Sequence, residues 1–138
     1  MMSLEALQRV YVLSDDGDTL KRLRACFPES VRLANFSTPL DLLGACIDGP
    51  MPALLVAQIL VERETWVVPL QAIVELPNAP RRLMLTEPGV VEEVMHDTFR
   101  PGEDHMLLWP CTDEELAMGV RYMLVPHGEG GAVIGAHA

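Results

Sequence analysis

The chain has 138 residues, 49% of them hydrophobic but only 5% aromatic, which fits one domain with an aliphatic core. A chain of this size buries roughly 68–70% of its unfolded surface and needs no metal or disulfide staple. Ten basic against twenty acidic side chains, a net charge of −10, argue against nucleic acid as a partner, because phosphates would be repelled.

The N-terminus "MMSLEALQRV" has neither the basic start nor the long apolar run of a signal peptide, and no apolar run is long enough to span a bilayer. These features imply a soluble, cytoplasmic domain with no membrane association. The three cysteines, Cys26, Cys46 and Cys111, lack metal-ligand spacing and fall in or beside apolar helical patterns, as free thiols in a reducing compartment do.

In chain order, "RVYVL" (9–13) reads as a strand, and "TLKRLRACF" (19–27) as a helix that Asp18 caps. "VRLAN" (31–35) is a second strand. "STPLDLLGACI" (37–47) is a helix with Ser37 or Thr38 at its cap and Pro39 in its first turn. "GPMP" breaks the chain before "ALLVA" (53–57), an uninterrupted apolar run of the kind a buried parallel strand carries. Gln58 follows immediately.

"ETWVVPLQAIVEL" (64–76) is a helix whose start Pro69 restrains, and "RRLMLT" (81–86) is the fourth strand. "PGVVEEVMHDTF" (88–99) is helical and "HMLLW" (105–109) is the fifth strand. "TDEELAMGVRYML" (112–124) opens with a capping box, Thr112 and Glu115. The domain therefore spans residues 1–125, and the Gly- and Ala-rich 126–138 reads as a flexible tail or linker.

Five strands alternating with five helices predict an α/β fold, a three-layer α/β/α sandwich with a doubly wound, five-stranded parallel sheet. Sites in such folds lie outside the carboxyl ends of the strands. That rule selects Ser14, Asp15 and Asp16 after strand one, Gln58 after strand three, Thr86 after strand four and Trp109 after strand five. Histidines 96, 105, 127 and 137 have no ligand spacing, no nucleophile–base pair can be assigned, and no glycine-rich phosphate loop follows strand one. No enzyme activity, cofactor or metal is therefore expected. Asp15 and Asp16 are the only residues placed to hold a cation, and turn formation or helix capping is the favoured reading for both.

The segments "VYVLSDDGD", "PALLVAQI", "RLMLTEPG" and "LLWPCTDEEL", in this order and spacing, resemble the receiver domains of bacterial response regulators. The resemblance runs from about Arg9 to Leu124 and implies a flavodoxin-like sheet of order 2-1-3-4-5. Receivers accept a phosphoryl group on a carboxylate ending strand three. Acids after strand one hold a divalent cation, and a hydroxyl after strand four and a lysine after strand five contact the phosphoryl oxygens.

Carried over residue by residue, the phosphoacceptor position is Gln58, whose amide cannot form an acyl phosphate. Ser14 stands at the first acidic position and Asp15 at the second. Thr86 keeps the hydroxyl, and Trp109 replaces the lysine, followed by the expected Pro110. Met106 stands where strand five usually carries an aromatic. The resemblance thus implies a degenerate receiver that signals without phosphorylation, through protein partners of a bacterial pathway, with a cis Trp109–Pro110 bond. A regulatory domain binding a small molecule in the vestigial pocket is the alternative.

Three finer expectations follow. Gln58 either bridges Asp15 and Thr86 by hydrogen bonds or is a surface amide without a role. Trp109 fills the space of the lost lysine, plugs the pocket as a lid, or anchors a partner. The face formed by the fourth helix, fifth strand and fifth helix carries self-association, with Met95, Met106, Met118 and Tyr122 as contacts.

Overall fold

The computed structural model describes residues 9–124, apart from the side chain of Glu64; the expected tail 126–138 lies outside the described residues. Five strands, β1 (Arg9–Leu13), β2 (Arg32–Phe36), β3 (Leu54–Ile59), β4 (Arg81–Thr86) and β5 (Asp104–Leu108), form one parallel sheet. Their order is β2-β1-β3-β4-β5, as the receiver resemblance implies. The helices are α1 (Gly17–Cys26), α2 (Pro39–Asp48), α3 (Val67–Val74), α4 (Val91–Asp97) and α5 (Asp113–Leu124).

Alternation along the strands builds two cores. Val10 and Val12, Leu54 and Val56, and Leu83 and Leu85 pack on one face with Leu23 of α1 and Leu116 and Val120 of α5. Tyr11 and Leu13, Leu55 and Ala57, and Met84 pack on the other with α2, α3 and α4. β3 is buried at all six positions, as befits a central strand covered on both sides. Gly119 brings α5 close to β5: a Cβ there would stand 2.8 Å from Leu107 Cδ1.

Several boundaries differ from expectation for physical reasons. The cap of α1 is Asp16, whose Oδ1 accepts the Asp18 N–H at 3.0 Å and whose Oδ2 accepts the Thr19 hydroxyl at 3.0 Å, so the helix starts earlier than a cap at Asp18 allows. The segment expected to be helical from residue 64 divides into a 3-10 stretch, Val61–Trp66, and α3. Pro69 then falls in the first turn of α3, where its missing N–H breaks no helical bond. β3 runs on through Gln58 to Ile59, so Gln58 lies inside the strand. Thr38 is the cap of α2, and Thr112 and Glu115 exchange the two bonds of the capping box, at 3.0 and 2.9 Å.

A buried polar pair sits at the amino ends of β4 and β5. Arg82 and Asp104, on adjacent strands, form an ion pair with both side chains fully buried. Arg82 also donates to the Pro80 carbonyl at 2.6 Å, and Asp104 accepts the Arg100 N–H, so the charges leave few unsatisfied bonds. Burial pushes the Asp104 carboxyl up, against the pull of Arg82.

Candidate functional site

The carboxyl ends of β1, β3 and β4 bring Ser14, Gln58 and Thr86 together in a buried layer; Asp15 and Asp16 stand outside it in solvent. Alternation decides which of these can touch. Ser14 continues the face of Val12, and Gln58 continues the face of Val56, toward α1 and α5. Their side chains meet: the Ser14 hydroxyl donates to Gln58 Oε1 at 2.6 Å while accepting the Asp16 N–H at 3.1 Å. One serine oxygen thus ties the end of β1 to the central strand and to the cap of α1.

This geometry corrects both readings of Gln58. It is 2% exposed, so it is no surface amide. It does not bridge Asp15 and Thr86 either. Thr86 is opposite Ile59 in register and continues the face of Met84, on the far side of the pleat from Gln58. Gln58 Nε2 and Thr86 Oγ1 are both buried without a protein hydrogen-bond partner.

Asp15 has another partner, which the sequence reading missed. Arg63, in the 3-10 stretch after β3, donates to Asp15 Oδ2 through Nε at 2.9 Å and through a terminal nitrogen at 2.6 Å. The Asp15 carboxylate in turn raises the Arg63 pKa, holding its charge more firmly. The guanidinium also lies 5.7 Å from the centroid of the Trp66 ring. A signal was available: Arg63 is the one cation between Arg32 and Arg81.

Trp109 is 8% exposed and belongs to the α1/α5 core, which favours the space-filling reading and offers no exposed anchor to a partner. Its peptide bond to Pro110 is cis. Arg22 of α1 places its guanidinium 4.9 Å from the centroid of the Trp109 ring. The same side chain donates to the Cys111 carbonyl at 2.6 Å and to Asp113 Oδ1 at 2.7 Å. Asp113 is the main cause that raises the Arg22 pKa. Arg22 therefore fastens the loop after β5 to α1, another contact that residue spacing alone did not reveal. Asn35 completes the frame, donating to the Val12 and Ser14 carbonyls at 3.2 and 3.0 Å.

These residues do not suit the divalent cation that the resemblance attaches to a working receiver. Ser14 and Gln58 are neutral and already joined, and the exposed Asp15 oxygen is committed to a guanidinium. Hard cations are held by several oxygen ligands, usually carboxylates. Among the described residues, no three His, Cys, Asp or Glu side chains converge as a metal site.

Of the interface residues expected on the last helices, Met95 of α4 and Met118 and Tyr122 of α5 are exposed. Met106 of β5 is only partly exposed and packs against the core. No helix among the described residues is long and apolar enough to cross a membrane.

No protein-family model and no curated protein matches the chain. Solved structures do. The signal receiver domain of a histidine kinase from Syntrophus aciditrophicus superposes with a TM-score of 0.68 at 16% identity, covering 89% of this chain and 96% of that one. The fold is that of a receiver domain. The BeF3-activated DrrB receiver domain matches with a TM-score of 0.64 at 19% identity, over 86% and 97% of the two chains. A CheY-like protein, TadZ, from Pseudomonas aeruginosa matches with a TM-score of 0.65 at 12% identity, over 84% and 98%.

Proposed function

We propose that this receiver-fold domain is a non-enzymatic signalling module of the two-component or phosphorelay type, acting in the cytoplasm by protein–protein contact without being phosphorylated. The observation that carries this reading is the buried Ser14–Gln58 hydrogen bond. Where the receiver pattern needs an acid and a phosphoacceptor carboxylate, two neutral side chains are bonded to one another. Arg63 on Asp15 and Trp109 in the lysine position support it, since each fills a role that phosphotransfer requires of another group. The exposed Met95, Met118 and Tyr122 support self-association on the α4–β5–α5 face. A small-molecule site in the vestigial pocket is less well supported, because the Trp109 ring packs into the core there.

Acetyl phosphate with Mg²⁺, followed by intact-protein and peptide mass spectrometry, tests the reading. The expected result is no phosphoryl adduct and no stabilisation by beryllofluoride. An adduct on Asp15 or Asp16 would overturn it. For the pairing face, sedimentation across a concentration series should show association that Met118→Glu abolishes; a strict monomer would remove that part.

A further inference from the structure

We propose that the solvent faces of α2 and α3 form a docking surface for a basic amphipathic helix of a protein partner. Leu40 and Ile47 lie two turns apart on one side of α2 and are 72% and 59% exposed. Val68 of the adjoining α3 is 67% exposed. Exposed apolar side chains scattered singly need no explanation, but here two share one side of α2 and a third lies on the helix packed beside it.

The charges around this patch choose its occupant. Between Arg32 and Arg81 the chain has five carboxylates and one cation, Arg63, which is bound to Asp15. Asp41 and Asp48 flank the α2 stripe, Glu75 closes α3, and neither helix contains a basic residue. A second copy would bring like charges face to face. An anionic lipid surface would be repelled in the same way. A helix with apolar residues at i, i+3 or i+4 and lysine or arginine on its flanks satisfies both the patch and its rim.

This surface is separate from Met95, Met118 and Tyr122. The inference deepens the protein-contact reading, and its test is blind to phosphoryl labelling, so the two can fail independently. The probe is a fluorescein-labelled amphipathic helix of leucine and lysine, titrated with the full chain and followed by anisotropy.

Leu40→Ser/Ile47→Ser should weaken binding at least about tenfold, as loss of interface anchors does. Asp41→Asn/Asp48→Asn should weaken it severalfold and flatten its salt dependence. Met95→Ser/Met118→Ser should leave it unchanged. Amide shifts in the unmodified protein on adding unlabelled peptide should concentrate in α2 and α3, a readout that needs no variant to fold. Absence of binding, equal binding by Leu40→Ser/Ile47→Ser, or shifts confined to α4 and α5 would overturn the proposal. So would self-association that Leu40→Ser/Ile47→Ser abolishes, which assigns the face to a second copy.

Discussion

Replacing Gln58 by aspartate restores the residue type that the receiver pattern carries at this position, and here it should destabilise the protein without activating it. The new carboxylate would be buried, with the Ser14 hydroxyl as its one evident donor. Arg63 is held on the solvent side by Asp15. An uncompensated buried charge costs about 3–5 kcal/mol, and a hydrogen bond to a charged group returns about 1.5–3 kcal/mol. At the midpoints of these ranges the net loss at pH 7 is about 2 kcal/mol, a large fraction of a total stability of about 5–15 kcal/mol.

The loss carries a pH signature. Burial raises the folded pKa of such a carboxyl above its unfolded value, so the deficit is absent below the unfolded pKa and grows as pH rises through the folded one. Gln58→Leu is the control. It strands the Ser14 hydroxyl at a cost of about 1–3 kcal/mol, with no titrating group added. Urea unfolding followed by circular dichroism at pH 5 and pH 7 separates the two. Parental stability of Gln58→Asp at pH 7, or its rescue by millimolar Mg²⁺, would refute the reasoning by showing that the pocket recruits a cation.

Arg22→Ala should cost about 1–2 kcal/mol, from the Trp109 stacking and the bond to the Cys111 carbonyl; an unchanged urea midpoint and unchanged tryptophan emission would contradict the clamp. The His96 imidazole, paired with Asp97 at 2.7 Å, should titrate above the ordinary 6.5 in an NMR series. Its stabilising contribution is complete below pH 6.5 and disappears as pH rises through the raised value, and Asp97→Asn should abolish the shift. Burial raises the pKa of all three cysteines, so iodoacetamide at neutral pH should label them more slowly than a free thiol, Cys46 slowest. Rapid first modification at Cys46 in a timed mass spectrum would contradict its placement in the core.

The sheet was legible because its strands announce themselves: β1 and β4 were delimited residue for residue, and "ALLVA" marked the central strand by being apolar throughout. The site was legible as a set of positions, since the ends of strands are where such folds keep polar groups. Its contacts were not. Whether Gln58 meets Ser14 or Thr86 depends on which side of the pleat each occupies, and the extension of β3 to Ile59 fixes that parity. Arg63 and Arg22 were missed because each acts across a long sequence separation, 48 residues to Asp15 and 89 to Cys111, which no local pattern encodes.

Those two arginines give the proposed mode of signalling its physical form. The loop after β3 is tied to the end of β1 by Arg63, and the loop after β5 is tied to α1 by Arg22. Each tie is partly exposed and individually weak, since exposed ion pairs contribute about 0–1 kcal/mol. Each is backed by an indole ring and, for Arg22, by a carbonyl, so the loops that frame the strand ends share contacts with the core. A phosphoryl group changes a receiver by adding charge at the end of β3. Here that position is a neutral amide whose oxygen is already held by Ser14, and the nearby charge of Asp15 is already paired with Arg63. On the proposed reading, a partner must supply the free energy for any conformational change itself, and only to the extent that it binds one conformation better than the other. The clamps then contribute to the conformational cost that this difference must exceed. Weakening them, as Arg22→Ala does, should make the domain easier to reshape without giving it any new chemistry.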